Sequence, residues 1–225
     1  MQNNKHVVIF ARAPRYGRIK TRLAKDIGKQ AALRFYQRNL EKLIHKMRQG
    51  PWQLHVAVAA QQDITHPAFK QLSVIAQPQG NLGARMRHVL HHFRSSRCVI
   101  IGSDIPDISR EHINTAFKTL VDNDVVLGPS EDGGYWLIGS GSSFIAQGRF
   151  LRNVRWSSKD ALTDTLASIE PRYKVAQIAQ LQDVDNGATH DIFAQAQRER
   201  QAKLRLKNLQ LQQYKTEHLD ERLHN

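Results

Sequence analysis

Short runs rich in Val and Ile alternate along this chain with longer stretches whose apolar residues recur at every third or fourth position. That alternation restricts the fold severely. The short runs read as strands of a mostly parallel sheet, and the stretches between them as helices flanking it, an α/β fold. His6 to Phe10 (HVVIF) is the expected first strand, and Leu54 to Ala60, Leu72 to Gln77 and Arg97 to Asp104 are further ones. Asp124 to Gly128 is expected to be a buried strand with Gly134 to Gly139 beside it, and RYKVAQI, residues 172–178, is the last. From Lys29 to Met47 the apolar residues Ala32, Phe35, Tyr36, Leu40, Leu43, Ile44 and Met47 share one face of a predicted helix. Further helices are expected over Leu82 to Phe93 and Ser109 to Val121, and in SSKDALTDTLASI, residues 157–169, opening on a Ser cap. Ser109 is a predicted N-cap; His112 stands where a capping-box Glu would, so only half of that box is expected.

The 225 residues suffice for one substantial domain and a short appendage. With 33 Lys+Arg against 20 Asp+Glu, the formal charge of +13 favours anionic partners. Its cations are dispersed and no nucleic-acid recognition module is present, so no dedicated nucleic-acid binding is expected. No apolar run approaches the roughly 18 residues of a membrane span, and the first residues lack a secretory apolar core. Cys98 is the only cysteine and sits in an apolar run, which predicts a buried, quiet thiol and a cytoplasmic protein. From Ala194 to Asn225 the chain becomes rich in Gln, Lys, Arg and Glu, without Gly or Pro. This segment reads as a basic helical extension to a domain over residues 1–193, with a homo-oligomer contact as the alternative.

In an open parallel sheet, ligands gather beyond the carboxyl ends of the strands. The first such end continues as FARAPRYGRIKTRL, with Gly17 for close backbone approach and Lys20 and Arg22 for charged hydrogen bonds to phosphate oxygens. The bland alternative is a solvated basic loop. Asp104, at the end of the Cys98 strand, is a candidate ligand for Mg²⁺ or Mn²⁺, as are Asp183 and Asp185, whose spacing of two puts both on one side of an extended segment. The residue pattern leaves open whether the two acidic groups meet. GPSEDGGYWLIG, residues 128–139, reads either as a hairpin turn or as a substrate platform, with bare backbone at Gly133 and Gly134 and stacking faces at Tyr135 and Trp136. QGNLGARM, residues 79–86, is a further loop-to-helix junction where Arg85 or the backbone could meet a ligand. His88, His91 and His92 share a helix face but lack a partner that completes a metal site, and they read as solvated.

Taken in order, FARAPRYGRIKTRLA, QGNLGARM, IGSDIPDI, GPSEDGGYWLIG, RWSS and DVD resemble a bacterial glycosyltransferase-like family, DUF2064, some of whose members are associated with arsenosugar biosynthesis. The family is similar, more distantly, to guanylyltransferases of cofactor pathways. This resemblance covers about Lys5 to Phe193. It implies a three-layer α/β/α nucleotide-diphospho-sugar transferase (GT-A, Rossmann-like) fold. It further implies that Ala11, Arg12, Ala13, Pro14, Gly17, Lys20 and Arg22 bind a nucleotide, with Gly83 and Arg85 near it. Asp104, Asp183 and Asp185 would hold the metal, and Asp132, Gly133, Gly134 and Tyr135 would face an acceptor. Asn81 departs from the acidic residue expected before Leu82, and Asp191 comes later than the usual next Asp.

The expected activity is metal-dependent transfer of a sugar from a nucleotide sugar to a small acceptor. Lys20 would neutralise the departing diphosphate and Asp132 would orient or deprotonate the acceptor hydroxyl. The alternatives are a nucleotidylyltransferase that releases pyrophosphate from a nucleoside triphosphate, and a nucleotide-binding protein without turnover.

Overall fold

A computed structural model of the chain describes residues 4–223 except 145 and 147, with only the backbone described over 211–223. It divides into two compact units, one ending at Asp185 and one beginning at Asn186.

The first unit is built on seven strands: β1 (Lys5–Ala11), β2 (Gln53–Val58), β3 (Ser73–Ala76), β4 (Arg97–Gly102), β5 (Val125–Pro129), β6 (Tyr135–Ser140) and β7 (Val175–Gln177). Its helices are α1 (Thr21–Ile27), α2 (Lys29–Arg48), α3 (Leu82–His92), α4 (Arg110–Thr119) and α5 (Ala161–Ser168). The sheet order is β3-β2-β1-β4-β6-β5-β7. All neighbours pair in parallel except β6, which runs antiparallel to both β4 and β5. The expected β5–β6 pair is present, but β6 also wedges between β5 and β4.

Strand alternation sorts the core into two layers. Val7, Ile9 and Ala11 of β1, with Val56, Val58, Val99 and Ile101, pack under α2 and α4 through Tyr36, Leu40, Leu43, Met47, Ile113 and Phe117. Val8, Ala57, Cys98 and Ile100 point the other way, against Met86, Val89 and Leu90 of α3. Each fully buried aliphatic side chain contributes about 1.5–3 kcal/mol, so truncating Leu40 to Ala should cost about 2–5 kcal/mol. Cys98 lies inside the second layer, where burial pushes its thiol pKa up and keeps it protonated.

Two expected helix starts are corrected. The α4 capping box is complete: Ser109 Oγ accepts from the His112 N–H and His112 Nδ1 accepts from the Ser109 N–H, both at 3.3 Å. An imidazole nitrogen does the work of the missing carboxylate, and burial lowers the His112 pKa, which keeps that acceptor unprotonated. At α5 the N-cap position is Asp160, with no side-chain cap, in place of the expected serine.

From β1 the chain steps to β2 on one side, whereas β4 lies on the other, so the loops leaving β1 and β4 diverge. The carboxyl ends of β1 and β4 thus form a switch point, the place where α/β sheets bind ligands. No described helix is long and apolar enough to cross a membrane. In the second unit, Asn186 Oδ1 accepts from the Thr189 N–H at 2.9 Å at the head of α6 (Gly187–Leu223), on which Leu204, Leu206 and Leu209 are exposed.

Candidate functional site

Residues Arg12 to Lys20 join β1 to α1, with Gly17 at φ 71°. Two buried side chains shape this loop. Tyr36 of α2 accepts from the Arg12 N–H at 3.0 Å, donates to the Arg12 carbonyl at 2.9 Å and lies 3.3 Å from Ser103 Oγ. It therefore ties the β1 loop to the β4 loop. Burial pushes the Tyr36 pKa up to about 12, so the hydroxyl remains a donor at neutral pH. Asp63, buried in a 3₁₀ turn after β2, accepts from the Ala13 N–H at 3.4 Å and from Arg15 Nε and Nη2 at 3.0 and 2.8 Å. Arg15 thus anchors the loop, while Arg12 and Arg18 remain exposed.

Lys20 ends the loop in a left-handed conformation, φ 47° and ψ 47°, with its side chain only 4% exposed. Its Nζ donates to the Val184 carbonyl at 2.6 Å and lies 3.0 Å from Asp104 Oδ1 and 3.7 Å from Asp185 Oδ1. Arg22 Nη1 donates to Asp185 Oδ2 at 2.9 Å. The Val184 N–H donates to the Asp104 carbonyl at 3.3 Å, which joins the late segment to the β4 loop. Segments some 80 residues apart in sequence thus meet on one ammonium. Asp183, half-buried beside them, has its carboxyl pKa raised, first by burial and next by Asp132, with Asp185 and Asp104 adding to the rise and Lys20 opposing it.

The second expected cluster is organised differently. Asp132 is exposed, and its Oδ1 accepts from Ser130 Oγ at 2.5 Å and from the Gly134 N–H at 3.0 Å, which closes the β5–β6 turn. Gly133 has φ 84°, and a Cβ there would fall 2.1 Å from the Lys159 carbonyl oxygen. Its own carbonyl accepts from the Leu162 N–H at 3.0 Å, so the turn docks on the start of α5. Of the stacking faces expected at Tyr135 and Trp136, that of Trp136 is turned into the protein, whereas Tyr135 is half-buried. Tyr135 donates to Met86 Sδ at 3.8 Å and accepts from Thr165 Oγ1 at 3.3 Å, and its burial pushes the phenol pKa up. Trp136, 2% exposed, donates to the Ala179 carbonyl at 3.0 Å. The cause is topological: β6 lies inside the sheet, so helices and loops cover both of its faces.

Gly83 is also buried, and a Cβ there would meet the Leu151 carbonyl oxygen at 2.3 Å and the Trp156 ring at 2.8 Å. Its small size serves packing at the head of α3. Arg85 Nε donates to the Gly80 carbonyl at 3.0 Å, and Asn81 caps α3 by accepting from the Ala84 N–H at 2.9 Å. Capping gives the Asn81 departure a local reason. Tyr36 and Asp63 escaped sequence reasoning. Tyr36 sits at an apolar position of the α2 pattern, so its hydroxyl carries no signal; Asp63 could have been found as an acid just past a parallel strand.

Among the described residues, no three His, Cys, Asp or Glu side chains are arranged to hold a metal ion. Nevertheless, Asp104 and Asp185 turn hard carboxylate oxygens toward one cation, the Lys20 ammonium, and Asp183 is a crowded carboxyl that further positive charge would relieve. This donor chemistry fits Mg²⁺ or Mn²⁺.

The family model for uncharacterized proteins conserved in bacteria, DUF2064, matches residues 42–158, just over half of the chain. No curated protein matches in sequence. Among solved structures, a candidate nucleotide-diphospho-sugar transferase from Desulfovibrio desulfuricans G20 is 28% identical, with a TM-score of 0.76 over 83% of this chain and 84% of that one. Rv0371c from Mycobacterium tuberculosis H37Rv, solved as a manganese complex, is 16% identical, with a TM-score of 0.52 over 84% and 96% of the two chains. The 4-diphosphocytidyl-2C-methyl-D-erythritol synthase of Anaerococcus prevotii DSM 20548 is 10% identical, with a TM-score of 0.53 over 88% and 97%. The fold is that of the nucleotide-diphospho-sugar transferases.

Proposed function

The chain belongs to the DUF2064 family, and from that membership we propose a metal-dependent transferase that moves a sugar from a nucleotide sugar to a small acceptor. The observation that carries this reading is the convergence of Lys20 and Arg22 with Asp104 and Asp185 at the switch point of the sheet. The Ala11–Arg22 loop would surround the nucleotide phosphates, with Lys20 and Arg22 donating to their oxygens.

In the transfer, the acceptor hydroxyl oxygen bonds to the anomeric carbon of the sugar, the bond from that carbon to the diphosphate breaks, and the hydroxyl proton passes to the Asp132 carboxylate. Negative charge grows on the diphosphate, and cations fixed in advance beside it lower the barrier. A divalent cation held by Asp104 and Asp185, with the Asp183 carboxyl beside them, would supply more positive charge there; the Rv0371c manganese complex supports this within the same fold. Asp132, exposed and oriented by Ser130 and Gly134, would accept the hydroxyl hydrogen bond beside Gly133 and Gly134. Tyr135, half-buried with its hydroxyl bonded to Met86 and Thr165, would face the acceptor with its ring.

The test is incubation with panels of nucleotide sugars and nucleoside triphosphates plus Mg²⁺ or Mn²⁺, with phosphorus NMR of the products. Nucleoside diphosphate is the expected product. Pyrophosphate would make the protein a nucleotidylyltransferase, and thermal stabilisation by nucleotide without product would make it a binding protein.

A further inference from the structure

The Lys20 ammonium lies between Asp104 and Asp185, the carboxylates that would hold a divalent cation. Its Nζ has three oxygen neighbours, at 2.6, 3.0 and 3.7 Å, and its side chain is almost fully enclosed. An ammonium and a metal ion at one point repel each other strongly in such a site, so one leaves as the other enters. The routes open to Lys20 are few. Tyr36 and Asp63 pin the loop before it, α1 starts immediately after it, and side-chain torsions are what remains. A bare metal ion would push the ammonium off its carboxylates and leave it the Val184 carbonyl alone, and moving an enclosed charge away from its partners is costly. A metal ion that arrives already bound to a polyphosphate brings acceptor oxygens with it. Arg22, on the second oxygen of Asp185, is exposed and can turn to solvent.

We propose that this pocket takes its metal only as a chelate with a di- or triphosphate, and that Lys20 enforces the rule by holding the carboxylates until phosphate oxygens draw it away. This inference rests on the metal-dependent reading above. Because coupling between two ligands is reciprocal, the metal strengthens phosphate binding by the same factor as phosphate strengthens metal binding.

Calorimetric titration of the full chain tests it, using Mn²⁺ alone and inorganic pyrophosphate with and without Mn²⁺, on the wild type and on Lys20→Met. The variant keeps an apolar stem of similar length and removes the charge. Wild type is expected to bind bare Mn²⁺ at least about tenfold more weakly than Lys20→Met, and to bind pyrophosphate at least about tenfold more tightly when Mn²⁺ is present. Equal Mn²⁺ affinity in the two proteins would overturn the gating role and leave a metal-dependent transferase standing. So would a wild type whose pyrophosphate affinity ignores Mn²⁺. Absence of Mn²⁺ binding to either protein, with and without pyrophosphate, would overturn both readings. Should Lys20→Met fail to fold, the pair of wild-type pyrophosphate titrations decides the matter alone.

Discussion

The loop after β1 and the turn between β5 and β6 both combine glycine with charged residues, yet they put them to opposite uses. In the first, Lys20 and Arg22 reach carboxylates from two other segments, and Gly17 has no atom within 4 Å of where its Cβ would lie. In the second, Gly133 is pressed against the backbone of Lys159, Trp136 is packed inside and Tyr135 is half-buried. A glycine that leaves space for a ligand and one that leaves space for the protein itself look the same in sequence. What separates them is the non-local neighbour.

Paired substitutions sharpen this contrast. Gly133→Ala combines a positive-φ penalty of about 1–2 kcal/mol with an overpacking cost of about 1–3 kcal/mol, so denaturant unfolding should show a loss of about 2–5 kcal/mol. Gly17→Ala should lose only the first part, about 1–2 kcal/mol. Equal losses would break the distinction. Asp104→Asn acts on the other region: it should lower metal-dependent turnover by more than about a hundredfold, roughly 2.7 kcal/mol of barrier, while the protein still unfolds cooperatively. Tyr36→Phe removes the hydroxyl shared by the β1 and β4 loops and leaves Arg12 backbone groups unpaired, at a cost of about 1–3 kcal/mol in stability.

The smallest effect lies in neither loop. His6 Nδ1 and His55 Nε2 are 3.1 Å apart against Phe93, and burial, then His6 and His92, lower the His55 pKa to about 4. The unfolded chain takes up this proton near pH 6.5, so the stabilisation from neutral His55 is complete above that pH and is lost as pH falls toward 4. Melting temperatures of wild type and His55→Gln over that window should fall more steeply for the wild type. Parallel profiles would show that His55 does not carry the acid sensitivity.

The strands and the long face of α2 were legible because alternation and three-to-four spacing report burial directly, and Lys29 to Met47 became helix almost to the residue. The insertion of β6 between β4 and β5 was not, since strand order is decided by contacts between distant segments. The same limit applied within the site. Lys20, Arg22, Asp104, Asp183 and Asp185 could be picked out as charged residues near strand ends, but their meeting on one ammonium depends on the Val184 segment returning to β4. The packing of Gly83 and Tyr135 was illegible for a related reason: Leu151, Trp156, Met86 and Thr165, which they contact, lie far away in sequence.

Anomalous diffraction from a crystal grown with Mn²⁺ and a nucleoside diphosphate tests the central claim most directly. The account predicts one manganese peak shared by Asp104 and Asp185, with Lys20 Nζ moved from these carboxylates onto phosphate oxygens. Manganese bound elsewhere, or Lys20 still seated on Asp104 beside a bound nucleotide, would contradict it.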